Sequence, residues 1–195
     1  MSFLLNKKFL FFIFKIIGIY LLLYYGTIAM IGIAAPGGLH STFVEQYLDY
    51  VSWIKRSLIA TTGWLVGMFG YETIVEPGFL IRVTGKRGVI VAMDCVGYGV
   101  YSFWIAYVVA NSMAIGRKIA WIVGGVFLLW VVNVIRISMF LIAINNNRTM
   151  PFGIDHHTWF NIAAYGFIFM MMYFFNQQLN KPNDGATHQP GQLQQ

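Results

Sequence analysis

The sequence predicts an all-α membrane protein of about four to five transmembrane helices, with an interfacial helix and a small outer-face β-hairpin. Three observations predict it. Hydrophobic residues make up 58% of the chain and charged residues 10%, with a mean hydropathy of +0.64, a composition suited to lipid rather than to a soluble domain. Four apolar runs approach the ~20 residues that a bilayer requires of a helix. The thirteen basic and seven acidic residues fall in short clusters beside those runs, as membrane-flanking anchors do, and form no continuous face for nucleic acid. A chain of 195 residues that builds such spans has no room for a separate soluble domain, so 1–178 reads as one polytopic membrane domain.

The first run, 9–35, follows Lys7 and Lys8 and reads as a signal-anchor, too long for a cleavable signal peptide. Further spans are expected at about 96–115, 119–144 and 158–175. Arg117 and Lys118 lie between the second and third spans. The positive-inside rule places them, with Lys7 and Lys8, in the cytoplasm. Four crossings then return the C-terminus to the cytoplasm, where the Gln-rich segment 179–195 is expected to be a disordered tail. The outer face receives 36–93 and 145–157.

Within 36–93, Phe43, Tyr47, Val51, Ile54 and Leu58 repeat at helical spacing, the pattern of an amphipathic helix lying in the interface. Glu45, Asp49, Lys55 and Arg56 are expected on its solvated face. The apolar continuation to Gly70 is short for a span, so 43–70 reads as an interfacial or re-entrant helix; a crossing there would be a fifth span and would reverse the N-terminus. Two β-rich runs, 73–83 and 89–93, flank the basic turn Thr84-Gly85-Lys86-Arg87-Gly88 and read as a hairpin over 73–93. Open backbone of that kind belongs at or above the outer interface, away from lipid.

The hairpin leads into Cys95, the only cysteine in the chain. It has no disulfide partner and no C-x-x-C neighbour, which leaves a packing residue, a nucleophile or a binding contact. Gly97 and Gly99 strip the helix entry of bulk, so another chain can approach the sulfur. Arg136 is an arginine inside an apolar run, and an intramembrane charge requires a partner or a wet cavity. It lies roughly 26 Å from Ile119 at about 1.5 Å per residue, against a hydrocarbon core of roughly 30 Å, hence near the outer surface. A snorkelling anchor is the plain alternative. Asn133, three residues earlier, shares its helix face and serves either that polar pocket or helix packing. Asp155 reads as the N-cap of the last helix, with His156 and His157 in its first turn.

Cys95, Arg136 and the histidine pair come from separate helices, yet the topology sets them at one depth. Such a set suits acyl transfer: a thiolate attacks a carbonyl, a cation stabilises the thiolate or the oxyanion, and an imidazole carries the proton. Asp94 opposes ionisation of its neighbouring thiol unless it turns away to cap the helix. Asp155, His156, His157 and His40 lack the H-E-x-x-H spacing, and neither a metal nor another cofactor is expected.

A hairpin ending in Cys95-Val96-Gly97, then Asn133-Val134-Ile135-Arg136-Ile137, then a histidine before an aromatic-rich last helix, resembles the exosortase/archaeosortase family of membrane cysteine transpeptidases over about residues 60–175. The resemblance implies a thiol peptidase or transpeptidase of the cytoplasmic membrane, multi-pass, with its active site facing outside. Its partners would be the lipid bilayer and a membrane protein substrate whose C-terminal sorting signal it cleaves, passing the acyl group from a thioester to an acceptor. It implies Cys95 as nucleophile, Arg136 as thiolate or oxyanion stabiliser and His157 as acid/base, with His156 as alternate; Asn133, Gly97 and Asp94 would line or support the site. Val96 departs from the serine that follows the cysteine in many members, and the core is smaller than in the larger members. The competing expectation is a non-enzymatic membrane assembly or binding subunit in which Arg136 holds an acidic or lipid headgroup.

Overall fold

A computed structural model describes residues 7–34, 41–146 and 156–179, with side chains undescribed at 93, 94, 156–161, 163 and 164. The fold is mostly helical: α1 (Lys7–Ala34), a π-helical turn (Val44–Leu48), α2 (Tyr50–Gly67), strands β1 (Thr73–Glu76), β2 (Leu80–Val83) and β3 (Gly88–Ile90), then α3 (Met93–Val96), α4 (Tyr98–Ala110), α5 (Ile115–Asn145) and α6 (His156–Leu179). Of these, α1 and α5 are long and apolar enough to cross a membrane by length and composition. The outward face of α1 is strongly apolar, with Phe11 71% and Leu22 74% exposed.

Polar ties set the helix directions. Lys15 Nζ donates to the Ala110 carbonyl at 3.3 Å, Lys118 Nζ to that of Val109 at 3.0 Å, and Trp121 Nε1 to Gln178 Oε1. The start of α1, the end of α4, the start of α5 and the end of α6 therefore meet at one end. At the far end of α5, Asn145 brackets the Arg87 backbone, accepting its N–H at 2.9 Å and donating to its carbonyl at 3.1 Å. That pair moors the sheet to the C-terminal end of α5.

Two apolar clusters fill the interior. Around fully buried Trp104 and Phe175, the rings of Tyr107 and Trp121 pack edge-on or tilted. Nearer the sheet, Leu58 of α2, Ile81 of β2 and Val134 and Leu141 of α5 close a second cluster.

Three expectations change. The run 96–115 is not one helix: Gly97 takes φ +77°, a left-handed conformation that separates α3 from α4. Asn111 then leaves the helix with extended backbone while its Nδ2 donates to the Tyr107 carbonyl at 2.8 Å, so α4 has 13 residues, roughly 20 Å against the roughly 30 Å of a hydrocarbon core. The hairpin is a three-stranded antiparallel meander, β1-β2-β3. Pro77 and Gly78, the latter at φ +84°, fold the first β-rich run back on itself, since proline pre-sets the first turn residue and glycine supplies the positive φ of the second. Lys55 is not on a solvated face but 5% exposed, within the buried stripe Val51, Lys55, Leu58, Ile59, Thr62 and Val66. The segment 180–195, read as a disordered tail, lies outside the described residues.

Gly125 tests the aromatic cluster. A methyl at this position would overlap the Trp104 indole, which is fully buried and donates from Nε1 to the Trp121 carbonyl at 3.0 Å. In an unobstructed helix Gly→Ala gains about 1 kcal/mol, whereas overpacking a core costs about 1–3 kcal/mol. Gly125→Ala is expected to lower the thermal unfolding midpoint in detergent; a raised midpoint would contradict this seating of Trp104.

Candidate functional site

The site forms where α3 breaks into α4. Ala92 is extended, Cys95 N–H donates to its carbonyl at 3.1 Å, and one turn later Gly97 reverses the backbone. The Gly97 carbonyl then accepts from Val100 and Tyr101 at 2.9 and 3.1 Å and starts α4. A helix only four residues long leaves its last carbonyls without partners. Asn133 of α5 supplies them: its Nδ2 donates to the Cys95 carbonyl at 2.6 Å and to that of Val96 at 3.2 Å. Asn133 is 8% exposed, and a buried amide so placed stabilises because the alternative is unpaired carbonyls in apolar surroundings.

Beside this clamp is a cavity of about 180 Å³ lined by Val96, Gly97, Tyr101, Asn133 and Arg136, among others. Arg136 lies roughly 32 Å along α5 from its first residue, Ile115, toward the sheet end. Tyr101, 8% exposed, approaches Asn133 closely enough to interact, but its hydroxyl has no hydrogen-bond geometry with any described residue. The cavity thus gathers a cation, an amide and a phenol with no hydrogen-bond partner among the described residues, on otherwise apolar walls.

Cys95 itself is half-buried. It packs on the adjoining side, against the cluster of Leu58, Val134 and Ile137, so its chain neighbours and not its side chain line the Arg136 cavity. Lys55, on the buried stripe of α2, borders the same cluster through Phe79. The Lys55 Nζ lies 4.4 Å from the centroid of the Phe79 ring and interacts electrostatically with Asp49 and Cys95. Burial lowers its pKa below the ordinary lysine value, and the Asp49 and Cys95 charges act in the opposite direction. Phe79 holds φ +62°, a conformation that an aromatic residue seldom adopts.

Of the residues that the sequence singles out, Cys95, Gly97, Asn133 and Arg136 come together around the α3–α4 break. His156 and His157 occupy the first turn of α6; their side chains, and that of Asp94, lie outside the described residues. Lys55 and Tyr101 escaped sequence reasoning. Lys55 carried a signal, since it stands four residues after Val51 and three before Leu58, inside the apolar stripe. On the other side of Gly97 an aromatic cavity of about 540 Å³, lined by Tyr20, Tyr24, Phe103 and Tyr165 among others, opens between α1, α4 and α6. Compared with protein-family models, curated proteins and solved structures, the chain matches none.

Asn133→Leu tests the clamp. It keeps the side-chain volume and removes both donors, and leaving a buried acceptor unpaired costs about 1–3 kcal/mol. A destabilisation of about 2–4 kcal/mol is expected from the two carbonyls together, read as a lower midpoint in thermal or denaturant unfolding. Unchanged stability would mean that the turn is held by other contacts.

Proposed function

We propose that the chain is a membrane-embedded cysteine peptidase or transpeptidase acting on an outward-facing membrane protein with a C-terminal sorting signal. The observation that carries this reading is the Asn133 clamp, which ties the Cys95 turn to α5 next to the Arg136 cavity. In the reaction Cys95 Sγ attacks the scissile carbonyl carbon, forming an S–C bond and placing a negative charge on the carbonyl oxygen. Arg136 and the Tyr101 hydroxyl line the neighbouring cavity, and for them to donate to that oxygen the Cys95 side chain must turn toward the cavity, which it does not line. Collapse breaks the C–N bond, the leaving amine takes a proton from His157 or His156, and a thioester remains on Cys95. Water or an acceptor amine then attacks the thioester carbonyl, its proton passes to the same histidine, and the C–S bond breaks to release the thiolate.

The same proposal sets the chain in the cytoplasmic membrane. Helices α1, α5 and α6 would cross, and α4, too short to cross by itself, would complete a fourth passage only together with the α3 turn before it and the extended Asn111 after it, with α2 and the sheet at the outer face. Lys15 and Lys118 both lie at the end opposite the sheet, which under the positive-inside rule is the cytoplasmic end. The exposed Phe11, Leu22, Phe127 and Phe169 would then face lipid, where an apolar side chain carries no hydration cost. The competing reading, a binding subunit that uses Arg136 to hold an acidic or lipid headgroup, draws support from the packing of Cys95 away from the Arg136 cavity.

Processing separates the two readings. With a co-expressed tail-anchored substrate, identified as an outer-face membrane protein whose mass changes when the chain is deleted, Cys95→Ala and Arg136→Ala are each expected to abolish processing while the protein still accumulates. Normal processing by Cys95→Ala would overturn the peptidase and leave the binding subunit. Arg136→Lys keeps the charge and loses the planar fork; activity down about 10²-fold or more is expected if two directed donors hold the oxyanion, in the range of losing an oxyanion-hole donor.

A further inference from the structure

Gly97 borders two cavities at once. On one side lies the cavity of about 180 Å³ lined by Arg136, Asn133 and Tyr101, on the other the aromatic cavity of about 540 Å³ between α1, α4 and α6; Gly97 and Val100 line both. A methyl built on Gly97 would meet nothing within 4 Å. The border is therefore a glycine without a side chain beside a valine, low enough for one molecule to lie across it and enter both cavities.

The two ends differ in chemistry. Tyr101 is 8% exposed and its hydroxyl has no hydrogen-bond partner among the described residues, and a buried hydroxyl is costly until it finds one. It lines the smaller cavity together with the Arg136 guanidinium, and the two are donors suited to one anionic group. The larger cavity offers rings instead: Tyr20 stacks on Tyr24 with centroids 5.5 Å apart, and Tyr24 meets Tyr98 at 5.3 Å. From Tyr165 to Met172, α6 carries this cavity roughly 10 Å along its axis. Because Trp121 holds Gln178 at the end opposite the sheet, that direction leads from the outer surface toward the middle of the proposed membrane. Charge lies at the outer end and apolar surface runs inward, the polarity of a lipid in the outer leaflet. Over that length the cavity averages roughly 8 Å across, narrower than a helix with its side chains, about 10–12 Å, and wide enough for an alkyl chain.

We infer that the two cavities together form one site for an anionic phospholipid, its phosphate on Arg136 and the Tyr101 hydroxyl and one acyl chain passing over Gly97 and Val100 into the aromatic cavity. A chain that moves from bilayer to protein exchanges one apolar surrounding for another, so selectivity comes from the head, where the planar guanidinium fits a phosphate through two hydrogen bonds. The inference deepens the reading of Arg136 as a headgroup site and rests on the membrane setting proposed above. In the peptidase reading, phosphate and acyl oxygen would contend for Arg136, and lipid and substrate would exclude one another. Lipid binding is measured without substrate, so the two can fail separately: normal processing by Cys95→Ala would sink the peptidase and leave the lipid site standing, and loss of the lipid site would leave processing to be judged on its own.

The test uses purified full-length protein in detergent and three probes: phosphatidylglycerol, diacylglycerol with the same chains, and inorganic phosphate. Retention is read by native mass spectrometry and binding by the rise of the thermal unfolding midpoint with probe concentration. Phosphatidylglycerol is expected to be retained at one molecule per chain and to bind at least about tenfold more tightly than diacylglycerol, which lacks the charge, or phosphate, which lacks the chain. These comparisons need only the wild type. Arg136→Gln, which removes the cation, and Val100→Trp, which fills the border, are each expected to weaken phosphatidylglycerol about tenfold or more. Lys118→Gln, at the opposite end, is expected to leave it unchanged. Diacylglycerol bound as well as phosphatidylglycerol would make the cavity an unselective apolar slot, and phosphate bound as well would make it a plain anion site; either overturns the inference. So would a loss of binding in Lys118→Gln but not in Arg136→Gln, which places the lipid at the other end, or no retention of any probe, which leaves the groove to a polypeptide.

Discussion

The last two carbonyls of α3 have no partners within a helix of four residues, and Asn133 satisfies both through one buried amide. Much else depends on that pairing. It fixes the α3–α4 break to α5 at a chosen height, and the break in turn requires the left-handed backbone that Gly97 provides. With the break in place, Cys95 faces α2 while Val96 and Gly97 face the Arg136 cavity. The clamp therefore does more than anchor a turn: it divides one stretch of chain between two chemical environments.

Those environments are complementary. One side holds the cysteine and, on the buried stripe of α2, Lys55 beneath the ring of Phe79. The other holds Arg136 and a Tyr101 hydroxyl without a hydrogen-bond partner among the described residues, beside an apolar wall, the kind of donor set that a developing oxyanion satisfies. The sheet contributes through the β1–β2 turn, which carries Phe79, and through its mooring to Asn145 at the far end of α5.

Long apolar runs made α1 and α5 legible in the sequence, because a stretch of nearly thirty nonpolar residues leaves little choice of secondary structure. Cys95, Gly97, Asn133 and Arg136 were legible as a group because each breaks the expectation of its surroundings: a lone thiol, a glycine at a helix entry, an amide and a cation in apolar sequence. The break at Gly97 was not, since apolar content continues through it and only the backbone dihedral reveals the division. Pro77-Gly78 was a readable turn signal obscured by the β-branched residues around it. Lys55 was misassigned for a different reason. Its charge suggests the solvated face of the wheel, whereas its spacing from Val51 and Leu58 puts it in the buried stripe, and its packing over Phe79 decided in favour of spacing. Tyr101 could not be distinguished from the other aromatic residues of its helix until the cavity beside it was seen.

The central claim is that the fold makes Cys95 a reactive thiol at the outward end of the helices and not a packing residue. The most direct test is the rate at which a membrane-impermeant thiol reagent labels it at neutral pH, added outside intact cells, compared with the rate for the denatured chain. Faster labelling of the folded protein from outside is predicted, since a stabilised thiolate outpaces an ordinary thiol. Labelling only after denaturation, or only from the cytoplasmic side of inverted vesicles, would contradict it.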